Sequence, residues 1–344
     1  MTDQSPTPDT SRIEQLQQWL LGIADRWQID AGTLASASSD ASFRRYFRVA
    51  SGKTGSLIIM DAPPQHEDCR PFVEISGLRD QAGVQVPRVL EQDLEQGFLL
   101  LTDLGNTTYL SVLNAGNARA LYGDAADALI KLQQASRPDV LPEYDRALLQ
   151  RELDLFPDWY LSKHLGHALD DKTRAALTQV FGALLDNNLA QPQVWVHRDY
   201  HSRNLMVTDA DNPGVLDFQD AVYGPITYDL VSLWRDAYIE WDEEQQIDWL
   251  VRYWEKARAA QLPVRADFGE FYRDFEWMGL QRHLKVLGIF ARLYHRDGKD
   301  GYLQNLPLVL RYTRAVAHRY REFAPLARLL DALEGVETRA AYTF

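Results

Sequence analysis

Ile13, Leu16, Trp19, Leu20 and Ile23 recur at intervals of three and four residues, which predicts an amphipathic helix over Ser11–Trp27. The period then shortens. Residues 38–60 read as a strand, a turn and further strands, with Phe43, Tyr46, Phe47 and Val49, then Leu57-Ile58-Ile59, as core and Ser51–Gly55 as the turn. Pro71–Gln81 returns to helical spacing, with Phe72, Ile75 and Leu78 on one face, and Val86–Leu90 and Gly97–Thr102 read as strands. These elements make a small mixed lobe ending near Gly105.

Beyond Thr107 the pattern is mostly helical, over 116–135, 145–164, 171–188, 227–239, 243–260, 266–295 and 303–334. Asn106-Thr107-Thr108 and Ser162 offer capping side chains. Short apolar runs at Val194–Val196, Leu205–Val207 and Val215-Leu216 interrupt the helices as buried strands, and Asp211–Gly214 is a turn that makes the last two a hairpin. The expected organisation is α+β and two-lobed: residues 1–105 as a β-rich lobe with a leading helix, 106–344 as a larger helical lobe.

Composition narrows the function classes. The 344 residues carry 36 Lys and Arg against 49 Asp and Glu, a formal charge of −13. That balance argues against nucleic acid or an anionic membrane as partner. A single cysteine, Cys69, excludes an intrachain disulfide and suits the cytoplasm. No apolar run reaches membrane-spanning length, and the polar, acidic first ten residues, expected to fray, lack the apolar core of a secretory leader. A cytoplasmic enzyme with no obligatory protein partner is the expectation.

The chemistry concentrates in one stretch. His197-Arg198-Asp199-Tyr200-His201-Ser202-Arg203-Asn204 is followed by Val215-Leu216-Asp217-Phe218. Phosphoryl transfer from ATP needs a carboxylate at the acceptor hydroxyl and hard oxygen ligands for Mg²⁺. Asp199 fits the first role, and Asn204 and Asp217 fit the second. His197 reads as support for the loop, because the carboxylate after it is the better-placed base.

These residues resemble the aminoglycoside phosphotransferase-like kinases, a branch of the protein-kinase-like fold. The octapeptide is similar to the catalytic loop of that family, Leu216-Asp217-Phe218 to its metal-site segment, and Gly224–Leu230 to a segment whose aspartate, here Asp229, anchors the loop. The likeness runs from about residue 35 to about 330. Ser38–Arg48, Met60–Pro64 and Leu101–Gly105 resemble, more narrowly, the amino-sugar kinases of bacterial cell-wall recycling, which phosphorylate the anomeric hydroxyl of N-acetylmuramate and N-acetylglucosamine toward UDP-N-acetylmuramate.

The resemblance implies ATP and Mg²⁺ as cofactors. It places Ser38, Ser39 and Ser42 over the phosphates and makes Leu101, Thr102, Asp103 and Leu104 the hinge that meets adenine. It also exposes a departure: Met60 stands where the family carries a phosphate-gripping lysine, whose glutamate partner would be Glu74. Arg44 is the favoured substitute, and strand alternation would set Arg44 and Arg48 on one face and Arg45 on the other. The acceptor would lie among His201, Arg203, Arg235 and Arg282, with Asp236 and His283 nearby. Trp234 and Trp277 could stack on a sugar, although core packing is the commoner use. Two rival readings stay open here. A cationic acceptor such as an aminoglycoside or choline would suit the acidic balance, and a non-catalytic binding module would suit Met60.

Overall fold

The computed structural model describes residues 8–39 and 43–335. The chain folds into two compact units. One comprises the chain up to Thr107 together with Met206–Gln219. The other comprises Thr108–Leu205 and the chain from Asp220 onward. The 206–219 segment, which a single cut at residue 105 leaves in the second lobe, therefore belongs with the first.

In the first unit, α1 (Pro8–Trp27) leads into β1 (Ile29–Ser39), β2 (Arg45–Ser51) and β3 (Gly55–Asp61). Then follow α2 (Arg70–Gln81), β4 (Val89–Asp93) and β5 (Phe98–Thr102). The sheet order is β1-β2-β3-β5-β4, antiparallel at each junction. Leu16 and Leu20 of α1 meet Val49, Leu57, Ile59, Phe98 and Leu100 in one core. Alternation along β3 puts Leu57, Ile59 and Asp61 on the α1 face and Met60 on the other, where it pairs in register with Leu99 of β5. Asp61 is fully buried between two cations, 2.7 Å from Arg12 of α1 and 2.7 Å from Arg45 of β2. A buried carboxylate survives there because both of its oxygens are paired. The strand β1 starts nine residues before the expected 38, since Ala, Gly, Ser and Thr hide its alternation. Ser42 lies outside the described residues, as do residues 1–7.

The second unit opens with α3 (Tyr109–Val112), which Thr108 caps by accepting from the Ser111 amide. Next come α4 (Ala118–Gln134) and α5 (Arg146–Leu155), a π-helical stretch (Phe156–His164) and α6 (Asp171–Leu189). The expected single helix over 145–164 widens where Pro157 has no N–H to give to Leu153. β6 (Gln193–Val196) precedes β7 (Leu205–Met206) and β8 (Gly214–Val215), the expected hairpin, which from Met206 onward belongs to the first unit. β9 (Val222–Pro225), unexpected, pairs with β6.

Five more elements follow: α7 (Tyr228–Trp234), α8 (Glu243–Ala259), α9 (Phe268–Asp297), α10 (Leu306–Arg319) and α11 (Ala324–Leu333). The expected helix 303–334 breaks at Tyr320, whose backbone is extended and whose hydroxyl donates to Glu276 at 2.7 Å. The thirty-residue α9 is the spine of this unit. Gly288 lets it cross closely, since a Cβ there would lie 2.4 Å from the Leu155 carbonyl. Among the described residues no helix is long and apolar enough to cross a membrane.

Candidate active site

The loop 197–204 leaves β6, whose Val194, Trp195 and Val196 are buried. Its first two amides, His197 and Arg198, donate to the two carboxylate oxygens of Asp229 at 2.6 and 2.9 Å. Seven residues on, Asp236 accepts from the Ser202 amide at 3.0 Å and from its hydroxyl. Two aspartates thus staple the loop at both ends. Inside it, the Asp199 amide donates to His197 Nδ1 at 3.2 Å, and Asn204 turns its side-chain nitrogen onto the Asp199 carbonyl at 3.0 Å. Arg198 holds a positive φ of 76°, a conformation that costs a non-glycine residue about 1–3 kcal/mol and persists only where its surroundings impose it. Glu152 receives its guanidinium.

Asp199 is left with its side chain 44% exposed. Burial of its surroundings works against its charge, yet Lys285, His201, Arg282 and His197 outweigh this and hold the carboxyl at about 2. Lys285 was missed in the sequence. It sits three residues after Arg282 on the apolar face of α9, and that spacing was the available signal. Its ammonium lies 2.9 Å from Glu152 and donates to the Tyr228 hydroxyl at 3.0 Å. Burial opposes the charge of Glu152, but Lys285 and Arg198 keep it ionised.

The expected acceptor-side residues fare differently. Arg282 is 3% exposed, with Nη2 3.9 Å from Asp199. His201 is buried beside the Tyr238 ring. Arg203 is exposed and lies over that ring at 3.8 Å. Arg235, by contrast, is committed to Glu276 at 3.1 Å and Gln246 at 3.0 Å, over the face of Phe275. Its neighbour Asp236 is a loop staple. His283 stacks on Tyr312 and bonds the Arg235 carbonyl at 3.1 Å; burial pushes its imidazole down to about 3, so it stays neutral. Trp234 and Trp277 are both core residues.

In the first unit, Asp217 also has a positive φ, 59°, and accepts from Gln219 at 2.8 Å. Phe218 anchors it, fully buried against Phe72 at 4.8 Å and under Arg79. The hairpin that delivers Asp217 is tied to its unit by the Val207 amide on Thr107 and the Val215 amide on Gln85, both at 2.8 Å. Gly214 packs on Leu104, where a Cβ would come within 2.8 Å. After β5, Asp103 is occupied by Arg48, Ser56 and the Gly105 amide. Burial opposes its charge, but these partners keep its carboxyl below the usual range. Thr102 bonds Arg88 in both directions, and Leu101 is paired on both sides.

Arg44 precedes β2 and pairs with Glu67 at 2.9 Å, so Arg44 and Arg48 do not share the strand face that alternation implied. Met60 is fully buried and Glu74 exposed. Ser38 and Ser39 end β1, and their side chains lie outside the described residues.

With this geometry in hand, relatives are informative. The phosphotransferase enzyme family model matches residues 33–266. The chain is 51% identical over 337 residues to an N-acetylmuramate/N-acetylglucosamine kinase of Pseudomonas aeruginosa, covering 96% of this chain and 99% of the relative. A protein of the same name from Neisseria meningitidis is 51% identical over 335 residues, covering 96% and 98%. The solved structure of aminoglycoside phosphotransferase APH(2'')-Ib with ADP bound matches with TM-score 0.54 and 16% identity, covering 87% of this chain and 98% of that one, a likeness of fold. Fold and loop together define a kinase-like phosphotransferase. The chain belongs to the phosphotransferase enzyme family.

Among the described residues no three His, Cys, Asp or Glu side chains converge to cage a metal unaided. Mg²⁺ characteristically takes one or two protein oxygens and completes its shell with phosphate and water.

Proposed function

We propose that the chain transfers the γ-phosphoryl group of ATP to the anomeric hydroxyl of N-acetylmuramate and N-acetylglucosamine, the step that commits a recycled cell-wall sugar toward UDP-N-acetylmuramate. The observation that carries the choice of acceptor is the 51% identity, over 96% of this chain, to a relative named for those two sugars.

Asp199 carries the chemistry in this reading. A carboxyl held at about 2 is charged at any physiological pH and is a weak base. It therefore orients the hydroxyl and takes its proton late, as a loose phosphoryl-transfer transition state permits. A hemiacetal hydroxyl is more acidic than an ordinary alcohol, so such a base suffices. Asn204 and Asp217 would hold Mg²⁺, whose bound charge neutralises the phosphates. Ser38, Ser39 and Ser42 would face the phosphates, and the backbone of Leu101–Leu104 the adenine; Arg44 drops out of the phosphate side because Glu67 already holds it. His201, Arg203 and Arg282 remain on the acceptor side, and Arg235 drops out because Glu276 already holds it.

The cationic-acceptor reading loses ground on the same geometry. Lys285 and Arg282 place positive charge beside Asp199, which would repel an ammonium. The deciding experiment incubates the full chain with ATP, Mg²⁺ and N-acetylmuramate and locates the phosphate ester by NMR. A C1 phosphate is expected. Absence of any sugar phosphate, with turnover of choline or an aminoglycoside instead, would overturn the reading.

A further inference from the structure

We propose that Arg282 is a carboxylate subsite beside Asp199, taking the lactyl carboxylate that N-acetylmuramate has and N-acetylglucosamine lacks. The proposal rests on the acceptor reading above and adds to it the group that tells the two sugars apart.

Arg282 is unusual among the cations of its unit. Arg198 is joined to Glu152, Arg235 to Glu276 and Arg265 to Asp274. Arg282 is as buried as any of them, at 3% exposure, yet its nearest carboxylate is 3.9 Å away. That is beyond hydrogen-bond range. Its Nε and Nη1 are buried with no hydrogen-bond partner among the described residues. A guanidinium is a planar fork of five donors made for bidentate acceptors, and buried donors left unmet are costly. The nearest anion, moreover, is the one reserved for the acceptor hydroxyl. What the surroundings lack is a second, planar anion.

The neighbouring groups point the same way. His201 is 9% exposed and its Nδ1 also lacks a partner among the described residues. Arg203 adds a cation over the Tyr238 ring. Glu152 is engaged by Lys285 and Asp236 by Ser202, so neither carboxylate answers Arg282. On the sugar side, the lactyl ether leaves C3, two ring bonds from the anomeric carbon. Its carboxylate and the C1 hydroxyl are therefore a short distance apart, as Arg282 and Asp199 are. A forked guanidinium–carboxylate pair would satisfy the orphan donors and orient the hydroxyl on Asp199.

The test measures kcat and KM of the full chain for N-acetylmuramate, its carboxamide and N-acetylglucosamine, in the wild type, Arg282→Gln and Arg282→Lys. Arg282→Gln should lower kcat/KM for N-acetylmuramate about 100-fold more than for N-acetylglucosamine, chiefly through KM. Arg282→Lys should fall between, since it keeps the charge and loses the fork. The wild type should disfavour the carboxamide strongly, and Arg282→Gln should not. Equal losses on both sugars, or none on either, would overturn the proposal. Should Arg282→Gln fail to fold, the carboxamide comparison in the wild type and the Lys variant still decide. A wild type that phosphorylates neither sugar would sink the acceptor reading itself. One that phosphorylates both and treats the carboxamide like the acid would sink the subsite alone.

Discussion

The arginines of the two units make an instructive contrast. Around β2, each has a carboxylate partner: Arg44 has Glu67, Arg45 has Asp61 and Arg48 has Asp103, all within 3.0 Å. These cations fasten loops and strands to one another. On α9, Arg282 is more deeply buried than any of the three but, among the described residues, stands 3.9 Å from its nearest carboxylate with two nitrogens unbonded. The same side chain is structural where its charge is matched and is available for chemistry where it is not. Burial alone does not distinguish the two cases; the partner inventory does.

The largest effect should come from the acceptor side. Asp199→Asn should leave the fold and sugar binding intact while cutting kcat on the order of 10³-fold. Turnover near the wild-type rate would remove Asp199 from its role. In the first unit the matching perturbation is one of stability. Asp61→Ala strips the shared partner from Arg12 and Arg45 and should cost about 3 kcal/mol in denaturant unfolding. A cost below about 0.5 kcal/mol, the level of ordinary surface substitutions, would mean these arginines are not fasteners.

A subtler test uses pH. Because the Asp199 carboxyl is lowered from 3.8 to about 2, it stays charged as pH falls through the usual carboxylate range. The acid limb of kcat/KM should therefore lie well below 4. Lys285→Met removes the foremost of the charges that lower it, so the limb should move up toward the ordinary value; an unmoved limb would contradict the field ascribed to α9. The smallest effect should be Met60→Leu. Met60 is fully buried and uncharged, so this swap should cost under about 1.5 kcal/mol. The KM for ATP should stay within about twofold, because a thioether contributes no charge for phosphate to use. A larger shift would give Met60 a part in nucleotide binding.

Much of the fold was legible because its signals are local. Helical spacing marks α1, α4, α6, α8 and α9 to within a few residues, and the Asp211–Gly214 turn marks the β7–β8 hairpin. The misses have identifiable causes. β1 is made mainly of small polar residues, the π-helical turn after Leu155 depends on one proline, and β9 is four residues long and meaningful only through its pairing with β6. The return of 206–219 to the first unit depends on Phe218 finding Phe72, 146 residues earlier in the chain.

By itself the sequence determined the identity and order of the reactive groups. Asp199 and Asn204 are five residues apart, and covalent spacing places them in one short loop whatever the rest of the chain does. Only the tertiary structure decided which charges are answered. Asp61 meets Arg12 across 49 positions, Arg48 meets Asp103 across 55, and Arg282 comes near Asp199 from 83 positions away without closing on it. Coulomb and hydrogen-bond energies depend on separations of a few ångströms in space. Long-range packing sets those separations, and spacing along the chain carries almost no information about them.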